Sequence, residues 1–171
     1  MGFFDIFRKK KGAAVGANSE KIELFEGRFA INGKAVEFSP NIDVLIKMFG
    51  QPRRIDAKDP NRVNFAWDSL GLYCYTNGGS IVTCVGVRLH KGENSYAHFP
   101  TELYKGVVTI NKKPWFSLMG DTKRVGDTGL FKVVNLGGYS VTFSYDDELR
   151  FENDCNEIEI SFQEFDFNMI I

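Results

Sequence analysis

The sequence predicts an α+β domain of mainly antiparallel β-structure, built from two duplicated β modules packed as one domain. Three observations carry the prediction. Short β-rich runs are parted by Gly and Asn-Gly turns, a single helical stripe interrupts them, and one stretch is nearly said twice. "LFEGRFAINGKAVEF" returns as "LYKGVVTINKKPWF": with Leu24 set on Leu103, Gly27 meets Gly106, Ile31 meets Ile110, Asn32 meets Asn111 and Lys34 meets Lys113, five identities in eleven positions.

The 171 residues suffice for one compact domain with a core of its own. Sixteen Phe against two Trp and six Tyr point to a Phe-filled interior. Residues 1–18 read as an apolar and basic tail with a Gly/Ala linker, 19–100 as the first module and 101–171 as the second. In the first, "KIELFEGRFAINGKAVEFSP" is a hairpin turning at Asn32-Gly33, a dipeptide that accepts the positive φ angles of a type I′ turn. Ser39 can then cap a helix over 42–49, with Pro40 in its first position; Ile42, Leu45, Ile46 and Phe49 form its apolar stripe until Gly50 and Pro52 stop it.

A polar loop from Arg53 to Arg62 leads into a meander of "VNFAWDS", "GLYCYT" and "SIVTCVGVRL". In the second module "NLGGYSVTF" echoes "SLGLYCY", and "EIEISF" echoes the closing strand. Where the first module has its helix, the second has "MGDTKRVGDTGLF", whose glycines disfavour one, so the helix is expected to be lost. The last run alternates at Ile158, Ile160 and Phe162, then shifts phase to Phe165, Phe167 and Met169, as a β-bulge near Gln163-Glu164 would make it.

Charge is distributed unevenly. From Asp146 to the end, nine acids stand against Arg150 alone. Alternation sets Glu157, Glu159, Glu164 and Asp166 in a row facing solvent, a candidate docking face for a basic protein partner. At the other end Phe3, Phe4 and Phe7 precede Lys9, Lys10 and Lys11, the pattern of a peripheral membrane or partner contact. Myristoylation at Gly2 is not expected, because Ile6 stands where Ser or Thr is needed.

Cys74, Cys84 and Cys155 are an odd set without metal-knuckle spacing and are expected as reduced thiols. A Gly78-Gly79 turn would set Cys74 opposite Thr83 and Cys84 opposite Tyr73, placing the two sulfurs on opposite sheet faces. His90 and His98 lack an acidic partner nearby and read as loop residues, so no metal, cofactor or catalytic residue is assigned. The glycines open no phosphate-cradling helix. Trp67, Tyr73 and Tyr75 are expected to pack on the helix 42–49; no RNA-binding signature accompanies them, which argues against nucleic acid. No run of 18 apolar residues exists, and the N-terminal charges follow the apolar stretch, so the expected location is cytoplasmic, or membrane-peripheral through the tail.

The "MGFFDIFRKKK" tail followed by a β-rich domain resembles uncharacterised bacterial domain families of unknown function and, loosely, the immunity proteins of polymorphic toxin systems. The Gly50-Gln51-Pro52 turn after the helix is similar to that of enzyme inhibitors built from tandem modules. The resemblance implies a non-enzymatic protein that blocks a basic toxin or enzyme and transfers no site residues. The alternative is a membrane-peripheral scaffold or adaptor held by its tail.

Overall fold

The structure, a computed structural model, describes residues 20–90, 99–118, 123–125, 131–145 and 155–169. Strands β1 (Lys21–Phe25), β2 (Arg28–Ile31) and β3 (Lys34–Val36) are followed by helix α1 (Ile42–Phe49) and by β4 (Arg54–Asp59), β5 (Arg62–Trp67), β6 (Leu72–Asn77) and β7 (Ile81–Arg88). Then come β8 (Val107–Ile110), β9 (Lys113–Pro114), β10 (Lys123–Val125), β11 (Phe131–Asn135), β12 (Ser140–Tyr145) and β13 (Cys155–Ser161). They form a five-stranded sheet ordered β3-β2-β1-β8-β9 and an eight-stranded sheet ordered β10-β11-β12-β13-β7-β6-β5-β4. Every pairing is antiparallel except β1 with β8, so the fold is β-rich α+β with one α-helix among the described residues.

The two sheets face each other across one core. Ile22, Leu24, Phe29, Ile31 and Ile110 of the smaller sheet join Phe65, Leu72, Val85, Val87, Phe143, Ile158 and Ile160 of the larger in a single cluster. The alternation of strands sends these residues to one face, and burying each contributes about 1.5–3 kcal/mol. One end is closed by aromatic contacts, Phe29 on Phe162 at 5.6 Å and Phe38 on Tyr139 at 5.1 Å between ring centroids. Helix α1 covers part of the same core through Ile42 and Leu45, and Phe49 meets Trp67 edge-on at 5.6 Å.

Several local expectations are corrected. The helix spans 42–49 as read, but Asn41, not Ser39, is its cap: Asn41 Oδ1 accepts from Asp43 N, and Ser39 sits at φ +51°. The first hairpin is three strands, because Gly27 at φ +63° turns β1 back into β2; the Asn32-Gly33 turn has the expected positive φ, 52° and 77°. The supposed polar loop contains β4, an edge strand whose charged residues carry no apolar period and which exists by pairing with β5. In the β6–β7 hairpin the register differs by a bulge at Tyr75/Thr76: Cys74 faces Val85 and Cys84 faces Tyr75. The two thiols still lie on opposite faces, Cys74 in the core and Cys84 outside it, and all three cysteines are free.

Trp67 packs on α1 as expected, with Nε1 donating to Gly50 O at 2.7 Å, but Tyr73 and Tyr75 do not. They share the opposite face of the large sheet, their rings 5.5 Å apart. The final strand ends at Ser161, so no bulge at Gln163-Glu164 carries it on; Phe165 and Phe167 meet beyond it as tilted rings, 5.2 Å apart. In place of a second helix stand a 3-10 turn at Trp115–Leu118 and strand β10, and Phe131 opens β11; residues 119–122 and 126–130 of "MGDTKRVGDTGLF" lie outside the described residues. His90 is an exposed bend residue; His98 lies outside the described residues.

Candidate functional site on the outer sheet face

Strand β13 runs through the middle of the eight-stranded sheet, between β12 and β7. Its period of two turns Ile158 and Ile160 inward and Glu157 and Glu159 outward. In register, Glu157 lies beside Arg88 on one side and Ser144 on the other, and Glu159 lies beside Gly86 and Thr142. Gly86 is what assembles the site: a Cβ there would collide with the Tyr73 ring. Lacking one, it lets Tyr73 lie flat across β7 from β6 and reach β13. The fully buried Tyr73 hydroxyl donates to Glu157 Oε2 at 2.8 Å and stands 3.4 Å from Glu159 Oε2.

The electrostatics follow from that placement. Burial, and after it the neighbouring charge of Glu159, raises the Glu157 carboxyl above its ordinary 4.5, although the Tyr73 and Ser144 hydroxyls pull the other way. Burial and the two carboxylates push the Tyr73 hydroxyl well above its normal range, so it acts as a donor. The buried Cys84 thiol is pushed up by burial and by the neighbouring Glu159 carboxylate, so it remains a neutral SH and not a nucleophilic thiolate. Among the described residues, neither Glu157 nor Glu159 has an ion-pair partner. Arg88 donates to the carbonyls of Pro100 (2.6 Å) and His90 (3.3 Å) and makes no ion pair with Glu157, although its charge also acts to lower that carboxyl.

Beside this pair a strap crosses the sheet. Arg54 Nη2 and Nε hold the Asp68 carboxylate at 2.7 and 2.8 Å, and Thr101 N donates to the same carboxylate at 2.8 Å. Arg54 also donates to Phe99 O, and the Phe99 ring lies 5.4 Å from that of Tyr73. The Arg54 contact holds the Asp68 carboxyl below its ordinary 3.8. On the other side of Tyr75 the face opens into a groove of about 470 Å³ lined by Arg62, Tyr75, Cys84, Glu159, Ser161 and Gln163.

Of the four acids read as one row, the structure brings together Glu157 and Glu159. Glu164 and Asp166 are exposed beyond the strand end, where Glu164 Oε1 accepts from Gly138 N at 2.9 Å and Asp166 Oδ1 accepts from Asn168 N at 2.9 Å. Phe3, Phe4, Phe7, Lys9, Lys10 and Lys11 lie outside the described residues. Sequence reasoning missed Tyr73, Cys84 and Arg62 as members of the site. The signal that could have found Tyr73 is Gly86, a glycine inside a strand, which marks the close approach of another group. Among the described residues no group of three or more His, Cys, Asp or Glu is placed to hold a metal, and no helix is long and apolar enough to cross a membrane.

Fold and site together define a two-sheet β domain with a carboxylate-bearing polar groove on its outer face. The chain belongs to the family described as Domain of unknown function (DUF7738), whose model matches residues 21–123. That span takes in the whole five-stranded sheet and the groove residues Arg62, Tyr75 and Cys84; Glu157 and Glu159 fall after it. No curated protein and no solved structure matches the chain.

Proposed function

We propose that the chain is a non-enzymatic protein-binding module that takes a basic partner on the outer face of its eight-stranded sheet, as an immunity or inhibitor protein blocking a basic toxin or enzyme would. The observation that carries this reading is the Glu157–Tyr73–Glu159 arrangement, two carboxylates on a central strand that share one hydroxyl donor and have no ion-pair partner among the described residues. Holding them side by side is unfavourable for the free domain, and a cation brought by a partner relieves both the repulsion and the desolvation of Glu157. Glu164 and Asp166, exposed past the strand, extend the negative field and speed encounter.

The duplicated-module reading accounts for where this surface lies. The strand order is a palindrome: β4 to β7 and β10 to β13 meet at the antiparallel β7–β13 pair, while the β2–β3 and β8–β9 hairpins flank β1 on either side. Both hairpins turn through two positive-φ residues, Asn32 and Gly33 at 52° and 77°, Asn111 and Lys112 at 51° and 66°. The glycines aligned by the "SLGLYCY" and "NLGGYSVTF" echo, Gly71 and Gly137, share φ of 68° and 62°. Exchange between the halves is reciprocal, since Gly27 N donates to Leu136 O at 2.7 Å while Leu103-Tyr104 packs against Gly71. The carboxylates then sit at the seam between two copies, a place neither copy has alone.

Affinity capture from native lysate, with wild type and the Glu157→Gln/Glu159→Gln variant in parallel, tests the reading. The expected result is one stoichiometric basic protein, retained by wild type, lost at least tenfold by the variant and released by salt. Equal retention by both chains would overturn it.

A further inference from the structure

The groove already has a guanidinium at its mouth. Arg62 Cζ lies 4.1 Å from the centroid of the Tyr75 ring, a cation–π contact made by a side chain that is itself exposed. Arg62 and Tyr75 separate the 470 Å³ groove from a smaller hollow of about 220 Å³ that Asp56 and Asp59 also line. One side of that contact carries Asp59 and Asp56, the latter 4.0 Å from Lys58, which lines the same hollow, and the other side carries the Glu159 carboxylate with no ion-pair partner among the described residues. The face accepts a guanidinium by ring and by charge, and the one now held there is tethered to an exposed position from which it can swing away.

We propose that the groove receives a Lys or Arg side chain of the protein partner, which displaces Arg62 from Tyr75 and pairs with Glu159. This rests on the docking reading above and adds the chemical group that is recognised. A groove of about 470 Å³ is at the small end of binding sites, suited to one side chain and not to a helix. A guanidinium or ammonium arriving there finds acceptors for its N–H groups in the Glu159 carboxylate, the Ser161 hydroxyl and the Gln163 carbonyl, and a π face at Tyr75. Cys84, kept as a neutral thiol, adds no charge of its own. An anionic guest would meet Glu159 and, past Tyr73, Glu157. Arg62 is then a built-in competitor, covering the ring and placing like charge at the entrance.

The test uses the full chain, with N-acetylarginine methylamide as probe and its citrulline analogue, equal in shape but neutral, as control. Binding is followed by NMR at Cys84, Glu159 and Ser161, and matching melting temperatures establish that each variant is folded. The arginine probe should shift these residues saturably and the citrulline probe should leave them unmoved. Glu159→Gln should weaken binding at least fivefold. Arg62→Gln should tighten it about threefold by freeing the ring, while Lys34→Gln, which removes an exposed cation from the small sheet, should leave it unchanged. Equal binding of the two probes, no saturable shift, or an Arg62→Gln effect no larger than that of Lys34→Gln overturns the inference. Were these to fail while partner capture stayed dependent on Glu157 and Glu159, the docking reading would stand and only the side-chain pocket would fall.

Discussion

Asp68 and Glu157 are two carboxylates with little exposure, held on neighbouring parts of one molecule and treated in opposite ways. Asp68 receives a two-pronged guanidinium from Arg54 and a backbone N–H from Thr101, and its carboxyl is held below the ordinary value. Glu157 receives hydroxyls from Tyr73 and Ser144 and faces a second carboxylate, and its carboxyl is raised. The first arrangement fastens the 99–104 strap to the sheet and is complete within the chain. The second has no ion pair among the described residues, and its Glu159 lines the groove. Asp68 finds its cation within the chain, whereas Glu157 and Glu159 form no ion pair among the described residues.

The largest effect should come from breaking the completed pair. Asp68→Ala removes the anchor of Arg54 and Thr101 together and should destabilise the domain by about 3 kcal/mol, measured by urea unfolding. Arg54 is 38% exposed in its side chain and recovers water, which keeps the loss at the lower end for a buried pair. A change under about 1 kcal/mol would mean that the strap is held by its other contacts and that the contrast with Glu157 is overstated.

Glu157→Gln should have the opposite sign, leaving stability unchanged or raising it by up to about 1 kcal/mol at neutral pH, because an ionised group whose burial is unfavourable is replaced by a neutral one. The pH dependence sharpens this. With a folded pKa above 4.5, Glu157 binds its proton more tightly when folded, so wild-type stability should rise relative to Glu157→Gln as pH falls through the folded value towards 4.5. Asp68, with a folded pKa below 3.8, contributes stability that is full above that unfolded value and is lost in both proteins as pH falls through the folded value. Parallel curves for wild type and Glu157→Gln between neutral pH and 4.5 would remove Glu157 from the argument.

Local chemistry was readable in the sequence wherever the chain itself determines it. The Asn32-Gly33 turn, the 42–49 stripe of α1 and the outward alternation of Glu157 and Glu159 depend on neighbours one to four residues away. What escaped depends on neighbours far along the chain. Strand β4 has no apolar period and exists because β5 pairs with it, and the Tyr73 hydroxyl meets Glu157, 84 residues later, on the face away from the core. The four acids read as one solvent row because alternation was extended past Ser161, where the strand ends and side-chain bonds to Gly138 and Asn168 take over.

The contrast between the two carboxylates is most directly measured by NMR titration of the side-chain carboxyl carbons in the free, full-length protein, with Glu157→Gln and Asp68→Asn supplying the assignments. The account predicts a Glu157 midpoint above 4.5 and an Asp68 midpoint below 3.8 in the same sample. A Glu157 midpoint at or below 4.5 would contradict it, because the carboxylate would then already have the compensation that the proposed partner is supposed to bring.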